Sequence, residues 1–332
     1  MYSSRQTTDS ARSPKGALLI RLCNWVGEAV LSLPALRRLA EAGYELHLYG
    51  RGWAPALFAG AGWPVTIRRG GVTEAVAQLH ALRRTFSGGG PAPALLMTNS
   101  FASALETRLA GFAPSGFARE CRGPLLCSAY PWPGIAQAGP GFATSGFAHA
   151  AEAYWQLAGS FLGTEEGFPA RLDWTPSETQ RARALALLSR YGLDTGTFVV
   201  LCPFSGPDDR EHQKVWPGFR ELGAKLAAAG VSAVVCPGPG EQAADSGLNA
   251  VCLPGVDLGV YGALFKLARS VVANDTGPGH LAAAAGARLI SVQGPQSSAA
   301  WRPIGPEVRL FQSALTWPSV NSIAAAALET VI

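Results

Sequence analysis

The sequence predicts an α/β protein built from two Rossmann-like domains. Short β-rich runs alternate along the chain with longer segments whose apolar residues follow the helical period. Such alternation is typical of parallel sheets covered by helices on both faces. The series restarts after the stretch GFPARLDWTP at 167–176. We therefore expect a flexible tail over residues 1–15, an N-terminal domain over 16–170 and a C-terminal domain over 171–332.

The strands and helices are assigned in chain order from the spacing of apolar residues. Strands are expected where four to six aliphatic or β-branched residues follow one another, and helices where apolar residues recur every three or four positions. The predicted strands are 17–22, 45–49, 94–98, 197–202, 232–236, 270–273 and 289–292. The predicted helices are 30–42, 102–110, 149–162, 178–191, 216–229 and 260–269.

The composition is that of a globular protein with a large core. Of the 332 residues, 48% are hydrophobic and 15% are charged, which argues against disorder. The net charge is only +4, and the basic residues form no concentrated stripe along the sequence. We therefore do not expect a nucleic-acid binder. No apolar run reaches the length of a membrane span, and the polar tail lacks the core of a secretory signal. The six cysteines form no CxxC pair, which favours free thiols in a cytoplasmic protein.

The most informative stretch is 272–286, which reads as a strand end, a polar turn and a new helix. Thr276 or Gly277 is suited to cap this helix, and Gly286 is suited to end it. The start of such a helix favours a bound phosphate or carboxylate. Many capped helices bind nothing, so the indication of a site comes from the polar residues that crowd this turn. They are Asn274, Asp275, Thr276 and His280.

Other strand ends also lead into polar loops. After the first strand, Gly27 precedes Glu28 in place of the GxGxxG fingerprint, which argues against a nicotinamide dehydrogenase. Glu28 is either a helix-start acid that complements the dipole or a general base in an interdomain cleft. In the second half, a Ser/Gly/Pro loop with Ser205 leads to Lys214 just before Trp216. That lysine is either part of an anion-facing loop or a solvated surface charge.

Taken together, these motifs resemble glycosyltransferase family 9, the heptosyltransferases that build the inner core of bacterial lipopolysaccharide. The resemblance runs in family order from about residue 16 to 310, and it is closest to the branch that adds the second heptose. Glu28 stands where the family normally has Asp, and Gly279 where it usually has Met. The matching elements are Asn24-Trp-x-Gly-Glu28 with Pro34-Ala-Leu, Thr98-Asn99-Ser-Phe, His149 with Tyr154, Lys214-x-Trp-Pro, and Asn274-Asp-Thr-Gly-Pro-x-His280.

The resemblance implies a GT-B-like fold, in which two Rossmann-like domains face each other across a cleft. It also implies an inverting transfer of heptose from ADP-heptose to an anionic inner-core glycolipid, with neither metal nor cofactor, at the cytoplasmic face of the inner membrane. The implied catalytic residues are Glu28 as base and Lys214 against the leaving diphosphate. The implied donor-binding residues are Ser205, Lys214, Glu241, Asp275, Thr276, Gly277 and His280. The implied acceptor-binding residues are Asn24, Asn99, Arg119 and Arg122.

Alternatives stay open at the level of sequence. Asp275 either caps the helix or holds sugar hydroxyls, and His280 is either a core histidine or a brace for the loop. Arg119 and Arg122 are either acceptor contacts or ordinary solvated side chains. Two rival functions also remain. One is a glycosyltransferase of the same fold that acts on a protein or a capsule precursor. The other is a non-catalytic nucleotide-sugar-binding relative, which the Glu28 substitution favours.

Overall fold

The computed structural model contains two parallel six-stranded sheets, as the alternating pattern predicts. The structure describes residues 15–87, 90–132, 134, 138–139, 142–143, 147–204, 215–241, 247–295, 297–313 and 315–329. The predicted tail lies outside these residues except for Lys15.

The central strands form where the chain is richest in aliphatic residues, and helices on both faces bury them. The strands of the first half are β1 Gly16–Arg21, β2 Tyr44–Gly50, β3 Val65–Ile67, β4 Ala92–Leu96, β5 Phe112–Phe117, β6 Ser128–Tyr130 and the two-residue pair β7 Ala138–Gly139 and β8 Phe142–Ala143. The strands of the second half are β9 Phe198–Cys202, β10 Ser232–Val235, β11 Val251–Cys252, β12 Ser270–Asn274, β13 Leu289–Gln293 and β14 Val308–Gln312.

The strand order is β3-β2-β1-β4-β5-β6 in the first sheet and β11-β10-β9-β12-β13-β14 in the second. Each sheet therefore reverses its winding direction next to its central strand, β1 or β9.

Several helices begin at residues whose side chains accept a backbone N–H, which is the local reason for their position. Ser177 forms a capping box with Gln180, and Asp257 accepts from Val260 N. The helices are α1 Val26–Leu31, α2 Leu33–Glu41, α3 Ala54–Phe58, α4 Val72–Arg83, α5 Phe101–Leu109, α6 Ala150–Leu162, α7 Glu178–Arg190, α8 Phe219–Ala228, α9 Leu258–Leu267, α10 Gly277–Ala284 and α11 Val320–Leu328. None of the described helices is long and apolar enough to cross a membrane.

The first predicted helix differs from the observed one in a way that matters for the site. In place of one helix over 30–42, the structure has α1 and α2, which meet at Ser32. Pro34 lies in the first turn of α2, where its missing N–H is tolerated, whereas inside a continuous helix it would remove a hydrogen bond. Helix α1 starts at Val26, four residues before the predicted start. Glu28 therefore lies in the first turn of a helix.

The two halves pack against each other through helices that follow the carboxyl ends of the strands. Helix α1 contacts α10, and α3 contacts α9. One apolar cluster contains buried residues from both sheets. Between α6 and α7, Trp174 donates its backbone N–H to Ala284 O (2.7 Å) and its indole N–H to Leu57 O (2.6 Å). The carboxyl ends of the two sheets therefore meet along the line where α1 and α10 begin.

Candidate active site

Each sheet has one point at which the strand order reverses, and in open α/β sheets ligands bind beyond the strand ends at that point. In the first sheet the point of reversal lies between β1 and β4. Residues 24–28 follow β1, and Asn99 follows β4. In the second it lies between β9 and β12, and β12 leads to residues 275–277. Because α1 packs on α10, predicted catalytic and donor-binding residues from the two halves come together.

Two glycines allow the helix starts to approach this closely. A Cβ atom on Gly27 would lie 2.8 Å from His280 Cδ2, and one on Gly277 would lie 3.1 Å from Val26 Cβ. Either distance is shorter than an ordinary carbon–carbon contact. The His280 ring is 6% exposed and lies against α1. His280 is therefore a buried residue of the interface between the two halves.

Glu28 is half-buried at the start of α1. Burial raises the pKa of its carboxyl above the ordinary 4.5, because water no longer solvates the charge fully. Among the described residues no group donates a hydrogen bond to this carboxylate. The buried Cys23 thiol, five residues before Glu28 in the chain, donates to the Tyr154 hydroxyl at 3.2 Å. A partly desolvated carboxylate that accepts no hydrogen bond from the described groups has the properties of a general base.

The start of α10 presents unsatisfied donors toward the same region. Thr276 occupies the predicted cap position, but its hydroxyl makes no cap hydrogen bond. The buried Oγ1 atom has no hydrogen-bond partner in the described part of the chain. The N–H of Gly277 has no acceptor within the helix because it lies in the first turn. Asp275, half-buried, precedes this start. The arrangement favours a bound anion.

Asn274 connects this turn to a second loop of the C-terminal half. Its side chain is fully buried. Oδ1 accepts from Trp216 N (3.0 Å), and Nδ2 donates to Pro203 O (3.2 Å). These two partners flank residues 205–214, which lie outside the described residues together with the predicted Ser205 and Lys214. Asn274 therefore holds the residues on both sides of the segment 205–214, which contains Lys214, beside the start of α10. The sequence indicated Asn274 as part of the polar turn, but its role as a connection between two loops was not predicted.

Glu241 follows β10, at the carboxyl edge of the second sheet. Its Oε2 accepts from Gly238 N at 2.7 Å. Burial raises the pKa of this carboxyl, and the Gly238 hydrogen bond opposes that rise. The acid is therefore held by its own turn at the edge where ligands of such sheets bind.

The two predicted asparagines of the first half are each held by a buried arginine. Arg21 Nη2 donates to Asn24 Oδ1 (3.1 Å), and Arg122 Nη2 donates to Asn99 Oδ1 (3.3 Å). Arg21 is 4% exposed, and burial lowers its pKa. Arg21 was not predicted as a site residue, although a charged residue at the end of an aliphatic strand is a usable signal. The arginines fix the orientation of both amides.

The two predicted arginines differ in exposure. Arg122 is fully buried, and its Nε donates to Phe117 O at 2.9 Å. Burial, and after it the neighbouring Arg119, lowers the pKa of Arg122 to about 10. Arg119 is half-buried and lies over the Trp132 ring, 4.8 Å from its centroid. Only Arg119 of this pair has a surface that an external ligand can meet, and Arg122 reaches the site through Asn99.

Within the described residues, no group of three or more His, Cys, Asp or Glu side chains is placed to hold a metal ion. All six cysteines are free thiols. One cavity of about 380 Å³ lies beside Tyr44, His47, Trp63 and Phe86. These residues lie at or near the amino ends of β2 and β3 or after α4, away from the strand ends described above.

Comparison with known proteins identifies the same architecture. The model of glycosyltransferase family 9 (heptosyltransferase) matches residues 80–325. The E. coli ADP-heptose LPS heptosyltransferase II structure is 19% identical, with a TM-score of 0.71 over 93% of this chain and 97% of that one. A glycosyltransferase family 9 structure from Veillonella parvula is 15% identical, with a TM-score of 0.73 over 90% and 86%. The E. coli heptosyltransferase WaaC with ADP is 22% identical, with a TM-score of 0.67 over 93% and 98%.

No curated protein gives a significant match to the chain. At these identities the solved structures establish the fold alone. They confirm the GT-B-like arrangement of two Rossmann-like domains that the sequence predicts.

Proposed function

The chain belongs to glycosyltransferase family 9, the heptosyltransferase family, and we propose that it transfers a heptose from ADP-heptose to an anionic inner-core glycolipid. The observation that carries the proposal is the contact of α1 with α10, which brings the helix start that holds the partly desolvated Glu28 carboxylate against the helix start at Thr276. Such a site contains a base from one half of the chain and an anion-binding element from the other. Inverting glycosyl transfer needs both.

The base acts on the acceptor. The Glu28 carboxylate takes the proton of an acceptor hydroxyl while that oxygen attacks the anomeric carbon of the donor sugar. The bond from this carbon to the diphosphate oxygen breaks on the opposite side, so the configuration inverts and the bond electrons leave with ADP. A positioned base contributes about 10²- to 10⁴-fold to such a rate.

The leaving diphosphate is stabilised by the C-terminal half. The Gly277 N–H, the Thr276 hydroxyl and the positive end of the α10 dipole supply donors before the reaction begins. Lys214 adds a full positive charge from the loop whose ends Asn274 holds. With these groups in place the proposed reaction needs no metal ion. Asp275 orders the turn and meets sugar hydroxyls.

The nucleoside end of the donor lies toward Glu241, at the edge of the second sheet. ADP is the nucleotide we favour, because structures of the E. coli heptosyltransferase WaaC are described with ADP and with ADP-2-deoxy-2-fluoro heptose. The acceptor binds the first half, where Asn24, Asn99 and Arg119 face its sugars and acidic groups. Arg122 orients Asn99 rather than touching the acceptor.

Nucleotide preference tests the donor assignment. A ligand at a hundred times its dissociation constant stabilises the folded state by about 2.7 kcal/mol, so ADP is expected to raise the melting temperature clearly. UDP, GDP and CDP at the same concentration serve as matched controls. A larger shift with any of these three overturns the ADP-heptose assignment.

The role of Glu28 is tested by Glu28→Gln, which keeps the shape of the side chain and removes the base. We expect sugar transfer to fall about 10²- to 10⁴-fold, with the ADP-induced thermal shift retained. If the native protein binds ADP-heptose but neither transfers nor hydrolyses it with any inner-core acceptor, the non-catalytic alternative is correct.

A further inference from the structure

The first sheet has an incomplete edge at the amino end of β2. Strand β2 runs over Tyr44–Gly50, but its pairing with β3 begins only at Leu48, which is opposite Val65. The first four residues of β2 therefore have a strand neighbour on one side alone, where β1 lies. The open side of such a strand presents backbone N–H and C=O groups without a strand partner.

Pro64 explains why the pairing of β2 with β3 starts late. Successive residues of a strand direct their backbone groups alternately to the two sides. Leu48 N donates to Pro64 O at 2.8 Å, so Leu46, two residues earlier, faces the same side. The carbonyl of Leu46 would accept from the N–H of residue 64, which proline lacks. The Leu46 N–H would donate to Gly62 O, and no such bond forms in the described part of the chain.

The unpaired groups of Leu46 face a cavity rather than open solvent. Leu46 is only 4% exposed and lines the cavity of about 380 Å³. A buried backbone donor and acceptor without a partner is uncommon in folded proteins. Small-molecule sites have volumes of about 300–1,000 Å³, so this cavity is large enough for a ligand that pairs with both groups.

The walls of the cavity are mainly aromatic. The rings of Tyr44, Trp63 and Phe86 line it, together with the imidazole of His47, whose centroid lies 5.8 Å from that of Phe86. His47 Nε2 lies 3.1 Å from Thr66 Oγ1, and burial lowers the pKa of this histidine below 6.5. The imidazole is therefore neutral at pH 7. Ring walls of this kind favour a flat ring that can stack on them or meet their edges.

The cavity favours an uncharged ligand. Glu45 is the one charged residue that lines it, and Glu45 is exposed. The Lys15 ammonium lies 5.3 Å from the centroid of the Tyr44 ring and brings the opposite charge to the same end of the sheet. The inner walls thus supply no fixed counter-charge, and burying an unpaired ion there would be costly.

We propose that this cavity is a second ligand site, which binds a small, uncharged, planar heteroaromatic molecule through the backbone of Leu46. The N–H and C=O of one extended residue point to the same side, so a ring with a donor next to an acceptor, as in a cyclic amide, meets both. The inference goes beyond the proposed transfer reaction. The cavity lies at the amino ends of the strands, whereas Glu28 and Thr276 lie beyond the carboxyl ends.

Two probes that differ in one donor test the site. Isocarbostyril is a flat bicyclic lactam whose ring N–H is adjacent to its C=O, and its N-methyl derivative lacks that donor. We expect calorimetry to show one molecule of isocarbostyril bound per chain, with or without saturating ADP. The N-methyl derivative should bind at least about tenfold more weakly, because it leaves the Leu46 carbonyl unpaired.

Three variants locate the binding. Trp63→Ala removes a wall and should weaken isocarbostyril binding about tenfold. Trp301→Ala is the matched control, because it removes an exposed tryptophan from the other half of the chain; it should bind like the native protein. Pro64→Ala restores the N–H at position 64, so the Leu46 carbonyl gains a partner and the probe should bind more weakly. Circular dichroism checks the fold of each variant, and the two probes test the native protein if a variant does not fold.

Several results would overturn the second site. If isocarbostyril shows no saturable binding, the cavity holds water only. Equal affinity for both probes, or unchanged binding by Pro64→Ala, shows that the Leu46 backbone takes no part. Competition by ADP-heptose assigns the probe to the transfer site, and equal losses in Trp63→Ala and Trp301→Ala exclude a local effect. None of these results depends on sugar transfer, so the second site and the proposed function can fail separately.

Discussion

Replacing Gly27 by alanine tests the contact that joins the two halves of the site. The new Cβ atom would lie 2.8 Å from His280 Cδ2, whereas ordinary van der Waals contact begins at 3.4 Å. The ring or the helix must therefore move by at least 0.6 Å (3.4 − 2.8). His280 is only 6% exposed, so its ring has little room and part of the displacement passes to α1.

Two opposing effects set the size of the change in stability. Overpacking a buried contact costs about 1–3 kcal/mol, and alanine improves on glycine in a helix by up to about 1 kcal/mol. We expect a net loss of about 1–2 kcal/mol in the free energy of unfolding. Activity should fall as well. A displacement of about 1 Å at a reacting group costs on the order of a hundredfold, so the part of the 0.6 Å displacement that passes to α1 predicts a fall of up to about tenfold in kcat/KM.

Gly223→Ala provides the control, because Gly223 is also a helical glycine and is buried, but its new Cβ would meet nothing closer than 3.6 Å. It should gain up to about 1 kcal/mol of stability and keep the native kcat/KM. Urea denaturation and initial-rate kinetics on both variants decide the matter. If Gly27→Ala behaves like Gly223→Ala in both measurements, the close contact between α1 and His280 does not limit the site.

Three further variants test other parts of the structure. Asn274→Ala should cost about 2–5 kcal/mol in urea denaturation, because it leaves the buried Trp216 N–H and a carbonyl unpaired; a loss below 1 kcal/mol would contradict this role. At His149, Nδ1 accepts from the start of α6 while Nε2 donates to Arg302 O (2.9 Å), and burial lowers the pKa below 6.5. Its stabilisation is therefore complete above pH 6.5 and is lost as the pH falls through the lowered value. His149→Asn should reduce the dependence of the melting temperature on pH in this range. An unchanged pH dependence would be evidence against this role of His149. The raised pKa of Glu28 makes its charged form destabilising above about pH 4.5, so Glu28→Gln should melt higher than the native protein at pH 7 and equally at pH 4. Native kcat/KM should fall with acidification at a pH above 4.5.

The elements that local pattern predicted well are the ones with an unambiguous period. β9 and β12 are continuous aliphatic runs, and α6 and α7 have caps and sustained helical spacing. β5 was missed because FAPSGF contains a proline and a glycine, which are unfavourable in strands. Its place in the sheet comes from pairing with β4 and β6, which no local window contains.

The candidate site shows the same division. The polar turns after β1, β4 and β12 could be predicted because polar residues directly follow apolar strands. The groups that those residues contact in the folded protein could not be predicted. Arg21 and Asn24 lie close in the sequence, but Arg122 reaches Asn99 across 23 positions, and His280 meets Gly27 from the other half of the chain. Contacts of this kind depend on how helices and loops pack, which the spacing of residues along the chain does not encode.

The sequence by itself determined the class of fold, the order of most strands and helices, and the residue types present at the strand ends, because these follow from local hydrophobic period and local turn chemistry. The tertiary structure alone decided the chemical state and orientation of the site. Burial raises the pKa of the Glu28 carboxyl, buried arginines orient two asparagines, and one arginine of a predicted pair is enclosed while the other stays accessible. Desolvation and hydrogen bonding depend on every atom that surrounds a group, and most of those atoms come from distant parts of the chain.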